Sequence, residues 1–265
     1  MSSAATLRRP PSRGALVQAG LVALLLALAG AGWALTEQRM GGMHAGPGGE
    51  LGGFGWFTVT WLVMMAAMML PAVTPMVVAY SRREAPAGAT PFFVAGYLVA
   101  WLAAGLLAYV LVEGVRSLDL GFLAWDTAGR YVAGGVILAA AIYQLTTPKD
   151  ACLRRCRDPR AFLEGHWRPG RVGALRMGME HGGFCVGCCW ALMAALFALG
   201  VMSVGWMAFI AALIVAERLL PWKVAAGRGI AILLAVLALG VALAPEEVPG
   251  LTEPGAQPMD RMEMP

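Results

Sequence analysis

An all-α, multi-pass membrane bundle is the fold class this sequence predicts, and three observations predict it. Of 265 residues, 59% are hydrophobic. Only 14% are charged, where a soluble domain carries about a quarter. Seven stretches are apolar over about the 20 residues that a helix needs to cross about 30 Å of hydrocarbon. A chain with so little charge cannot cover its apolar surface in water, which places it in the membrane class before any motif is read.

The first span lies near 15–35, behind Arg8, Arg9 and Arg13. Its apolar run is longer than the core of a secretory signal, so an uncleaved helix is expected after a cytoplasmic segment 1–14. The next spans lie near 56–80, 92–112 and 130–147. Residues 184–216 carry no charge and are too long for one ordinary span. Gly200, Ser203 and Gly205 offer a tight turn that divides them into spans near 178–200 and 204–220. The last span lies near 227–244, closing a transmembrane domain of 15–244. From 245 to 265 the chain is rich in Pro, Gly and acid, and a disordered acidic tail is expected.

Charge orients the bundle. Lys and Arg are retained on the cytoplasmic side. With the N-terminus inside, sixteen of the 20 basic residues fall on that side: Arg8, Arg9, Arg13, Arg82, Arg83, Lys149, Arg154, Arg155, Arg157, Arg160, Arg168, Arg171, Arg176, Arg218, Lys223 and Arg228. Arg39, Arg116, Arg130 and Arg261 fall outside. The basic residues sit between apolar spans, so membrane lipids account for them, with anionic headgroups as partners, and nucleic acid does not.

All five cysteines, Cys152, Cys156, Cys185, Cys188 and Cys189, fall on the cytoplasmic side of this topology. The cytoplasm keeps thiols reduced, which points to metal binding or thiol redox chemistry and away from structural disulfides. The strongest motif is His181-Gly-Gly-Phe-Cys185-Val-Gly-Cys188-Cys189-Trp190. Positions three and four apart share a helix face, so His181, Cys185 and either Cys188 or Cys189 fall within two turns. Thiolate and imidazole suit Cu(I), and Zn(II) less well once thioethers join them. Gly182 and Gly183 are expected to loosen the helix start. Packing is the competing explanation, since Gly and Cys both let helices approach closely.

Three further groups extend the pattern. Cys152 and Cys156 stand one turn apart in a basic segment, as an accessory metal or docking point or as two ordinary thiols. Met64, Met65, Met68 and Met69 precede Pro71 and Pro75. Their thioethers favour Cu(I), while methionine is equally a flexible core filler. Pro71 and Pro75 are expected to kink this helix. Met40, Met43 and His44 form a second accessory group in the outer loop, and Met259, Met262 and Met264 a similar one in the tail. Glu180 adjoins His181, and Glu217 sits where it is expected to reach toward water.

The segments MMAAMMLPAVTPM at 64–76, KDACLRRCRDP at 149–159, HGGFCVGCCWALM at 181–193 and GVMSVGWM at 200–207 together resemble a bacterial family of unknown function described as predicted metal-binding integral membrane proteins. The likeness covers about residues 56–222. It implies a multispanning membrane protein that binds metal, and it supplies no substrate.

Function therefore narrows to three readings. The first is a soft-metal protein of the inner membrane that binds and moves Cu(I), with a cytoplasmic or periplasmic metal carrier as partner. The second is a thiol–disulfide electron carrier using Cys185 and Cys188 as a CxxC pair. The third is a structural or assembly subunit. No nucleotide-binding loop, Ser/His/Asp set or paired carboxylate supports an enzyme.

Overall fold

A computed structural model of the chain describes residues 13–40, 51–83, 88–118, 128–200, 203–220, 223–248 and 251. Among these the fold is all-helical. In chain order the helices are α1 (Arg13–Met40), α2 (Phe54–Arg82), α3 (Thr90–Ser117), α4 (Arg130–Tyr143), α5 (Thr147–Arg157), α6 (Pro159–His166), α7 (Gly170–Leu199), α8 (Val204–Leu219) and α9 (Lys223–Leu243).

Five of them, α1, α2, α3, α7 and α9, are long and apolar enough to cross a membrane. The other two expected spans are shorter than a bilayer requires. Helix α8 has 16 residues. Helix α4 has 14, and the chain then bends by 66° into α5. The bend has a local cause. Thr146 holds the N-cap position of a new helix while its hydroxyl donates back to the Tyr143 carbonyl, and Pro148 occupies the first turn, where the missing N–H costs nothing. If that bent pair counts as one span, the total is six. The outward faces of the long helices carry large exposed side chains, among them Leu24 and Leu28 of α1, Leu107 and Leu111 of α3, and Ile232 and Val236 of α9. Apolar faces of this extent are what hydrocarbon covers.

Helix α7 is the centre of the bundle. It begins at Gly170 and runs unbroken to Leu199, so Gly182 and Gly183 lie mid-helix and do not loosen its start. Their role divides. Gly178 and Gly182, one turn apart, press against α3, where a Cβ on Gly178 would collide with the Phe93 carbonyl and one on Gly182 would lie 2.6 Å from Ala100. Gly96 of α3 answers from the other side against the Leu175 carbonyl. Gly183 meets nothing. Small residues at four-residue spacing let two backbones touch, which is how membrane helices gain packing energy.

Helix α2 continues through Pro71 and Pro75 to Arg82. Its indole at Trp61 donates to the Trp101 carbonyl of α3 at 2.9 Å. The turn expected after α7 is present: Gly200 ends the helix at φ +108°, and the Ser203 side chain accepts from Trp206 N to start α8. Beyond α9, Pro245–Glu247 make a 3₁₀ turn, and Val248 packs beside Gly240. Pro245 and Val248 are buried there. Met43, His44, Met259, Met262 and Met264 lie outside the described residues, as does the Met40 side chain.

Candidate metal centre

Cys185, Cys188 and Cys189 occupy one face of α7, at positions i, i+3 and i+4. Each is at most 1% exposed. Their sulfurs lie within 4.8 Å of one another, and those of Cys188 and Cys189 are 3.5 Å apart. Two sulfurs bonded to one ion at about 2.3 Å each can stand no farther apart than about 4.6 Å. The Cys188 and Cys189 sulfurs stand within that reach, and the bound of 4.8 Å on all three lies close to it. All five cysteines of the chain are free thiols.

A fourth sulfur comes from α5. Cys156 Sγ lies 3.9 Å from Cys188 Sγ. Cys152, one turn earlier on the same face, is half-buried against Gly187, where a Cβ would stand 2.9 Å from its sulfur. The glycine between Cys185 and Cys188 is what lets α5 close on α7. The Tyr143 hydroxyl seals the same spot by donating to the Gly187 carbonyl at 2.7 Å.

Two residues that no motif singled out complete the surroundings. The Tyr97 hydroxyl of α3 shares a hydrogen bond with Cys185 Sγ at 3.0 Å. Arg218 of α8 donates from Nη2 to Cys185 Sγ at 2.7 Å and approaches Cys188 Sγ at 3.6 Å. Its other terminal nitrogen donates to the Ala72 carbonyl of α2 at 3.4 Å. One guanidinium thus joins the methionine-bearing helix to the thiol group. In sequence Arg218 is only one more basic residue on the inner side, 33 positions from Cys185.

Next to it, Glu217 overturns the expectation of a carboxylate reaching for water. It is 3% exposed, and Lys149 Nζ donates to both its oxygens at 2.6 and 2.8 Å. Lys149 itself is 1% exposed. This pair ties α5, which carries Cys156, to α8, which carries Arg218.

His181 is not in the group whose ligand atoms all lie within 4.8 Å of one another. Its imidazole is fully buried among the rings of Phe93, Tyr97 and Phe162, whose centroids lie 6.1, 6.0 and 5.1 Å away. Neither ring nitrogen has a hydrogen-bond partner. Glu180 does not orient it, because that carboxylate pairs with Arg168 at 2.7 Å. Met64, Met65, Met68 and Met69 are all buried to 1% exposure or less.

The donor set is soft, dry and rich in sulfur, which suits Cu(I) among the common biological metals. Oxygen ligands of the kind that Ca²⁺ or Mg²⁺ need are absent from the group. Comparison with curated proteins finds no match, and neither does comparison with solved structures. A family described as copper chaperone, PpoB2, matches residues 58–241. That stretch contains Met64–Met69, His181, all five cysteines, Lys149, Glu217 and Arg218. The match spans well over half of the sequence, and the chain belongs to this copper chaperone family.

Proposed function

We propose that this chain is a multi-pass protein of the bacterial inner membrane that holds one Cu(I) at Cys185, Cys188 and Cys189 and exchanges it with a partner carrier. The observation that carries the reading is the closeness of three buried sulfurs, within 4.8 Å of one another. The family's description as a copper chaperone favours the same ion. Cys156, 3.9 Å from Cys188, is the thiol through which an ion reaches the group from the charged, cytoplasmic side. Cys152, half-exposed one turn earlier, is the thiol that meets the partner. The ion is cargo, handed from sulfur to sulfur. His181 and the four methionines of α2 are not required to touch it while it rests at the thiols. The positive-inside distribution supports a cytoplasmic N-terminus.

Elemental analysis of the full chain, purified in detergent with Cu(I) under reducing conditions, tests the proposal. Wild type is expected to retain about one copper per chain, and the triple variant Cys185→Ser, Cys188→Ser, Cys189→Ser none. Equal copper in both would defeat the assignment and favour a structural or assembly role.

The thiol–disulfide reading meets a physical objection. Exchange requires a partner thiol to reach the sulfur, and Cys185 and Cys188 are 0% and 1% exposed. A small ion can pass where a protein thiol cannot. Mass-tag trapping of the Cys185/Cys188 pair separates the two readings, because electron transfer requires the pair to change redox state with its surroundings.

A further inference from the structure

A cavity of about 340 Å³ lies between the end of α2 and α6. Three arginines line it: Arg82, the last residue of α2, Arg83, which follows it, and Arg160 in the first turn of α6. Two of them are held in place. Arg82 donates from Nη2 to Gln18 Oε1 of α1 at 2.7 Å. The Arg83 guanidinium stands 4.7 Å from the centroid of the Trp167 ring, and stacking of this kind leaves the N–H edges of the fork open. Glu164 is the one acid in the lining, so the wall carries a net charge of +2. Among the described residues no ion pair engages any of the three arginines. Asp158, which precedes α6, turns its carboxylate to the Ala161 N–H.

The rest of the wall is apolar, and its pattern has a direction. Pro75, Val78, Ala79 and Arg82 line the cavity at i, i+3, i+4 and i+7 of α2, which is one face of a helix. The stripe runs for about 10 Å and is apolar up to Arg82. Pro75 is exposed, and Val78 and Ala79 are half-buried, so the stripe is open from the side. With the basic residues at the cytoplasmic face, the arginines stand at headgroup level and Pro75 stands deeper. We propose that this cavity binds the phosphate headgroup of an anionic phospholipid of the cytoplasmic leaflet, with the start of an acyl chain along Pro75, Val78 and Ala79. Forked guanidinium groups pair with phosphate oxygens two at a time, and basic pockets between helices on the cytoplasmic side hold lipid headgroups in this way. Soluble phosphate offers the same oxygens and leaves the apolar stripe uncovered. The site is separate from the thiols, and the inference does not depend on the ion they hold.

Native mass spectrometry of the full chain in a neutral detergent tests the proposal by counting bound lipid. Dioleoyl phosphatidylglycerol and dioleoyl phosphatidylcholine, alike in chains and different in head charge, compete in mixed micelles. An arginine beside an anionic headgroup is worth about fivefold in affinity, so wild type is expected to prefer phosphatidylglycerol by at least about tenfold. The triple variant Arg82→Gln, Arg83→Gln, Arg160→Gln is expected to lose that preference. A second triple variant, Arg154→Gln, Arg176→Gln, Arg228→Gln, removes the same charge from exposed arginines outside the cavity. It is expected to keep the preference within about threefold. Equal loss in both variants means diffuse attraction to a basic surface and overturns the proposal, as does a wild type without preference. Glu164→Gln removes the acid from the lining and is expected to raise the preference by about threefold. A structural role would give no such gain, so this variant decides the matter should the first triple variant fail to fold, and absence of the gain then overturns the proposal. Inorganic phosphate in large excess is expected to leave the lipid bound. Displacement at concentrations equal to that of the lipid assigns the cavity to a soluble phosphate and overturns the lipid assignment.

Discussion

Helices α2 and α7 each carry a cluster of soft sulfur, and the two clusters are equally buried. Met64, Met65, Met68 and Met69 are 0–1% exposed, as are Cys185, Cys188 and Cys189. What differs is what meets them. The thiols of α7 face Tyr97 from α3, Cys156 from α5 and Arg218 from α8. No hydrogen bond reaches any of the four methionines among the described residues, and they lie within the apolar core. Burial and residue type alone therefore do not mark a site. Convergence of polar groups from several helices does, because a buried polar group without a partner is costly and persists only where it has work or company.

The comparison can be broken or sharpened by substitution at five positions. The largest effect is expected at the ion pair that supports the thiol side. Lys149→Met leaves Glu217 buried and unpaired, which costs about 3–5 kcal/mol of stability. The double variant Lys149→Met, Glu217→Gln should recover much of it, as read by thermal melting in detergent. Additive losses would show that the two residues do not act as a pair.

Next in size is Cys188→Ser, which removes the sulfur that lies near both Cys189 and Cys156. Cu(I) affinity, measured against a competing chelator, should fall by more than the roughly 10–100-fold typical of residues one shell removed. Cys156→Ser should fall within that range, at about tenfold. It should also slow loading from a thiol donor more than it weakens equilibrium binding. The smallest effect is expected from Met68→Leu, a swap of similar volume costing less than about 1.5 kcal/mol, with copper affinity unchanged within about threefold. An affinity loss at Met68 as large as that at Cys188 would erase the distinction between the helices and make α2 part of the site.

The three sulfurs on α7 were legible because helical spacing is local. Residues 185, 188 and 189 share a face in any α-helix, whatever surrounds it. The turn at Gly200–Ser203 was legible for the same reason, since a positive-φ glycine and a serine cap act within a few residues. The bend after α4 also left a local mark in Thr146 and Pro148, but the apolar run of 130–147 hid it. Hydropathy likewise put the start of α7 near 178, at the edge of the apolar stretch. Hydrogen bonding carries the helix back to Gly170, through Arg171 and Arg176.

Sequence alone determined the helical class of this protein, its shortage of charge and the shared face of its central thiols, because each follows from composition or from the period of a single helix. Tertiary structure decided the rest. Cys156 meets Cys188 across 32 positions, Arg218 meets Cys185 across 33, and Tyr97 meets Cys185 across 88. It also packed the His181 ring beside Phe93, Tyr97 and Phe162, and His181 is not in the group whose ligand atoms all lie within 4.8 Å of one another. Such meetings depend on which helix faces press together, and that is settled by glycines packing backbone on backbone and by one buried ion pair, neither of which has a period to read.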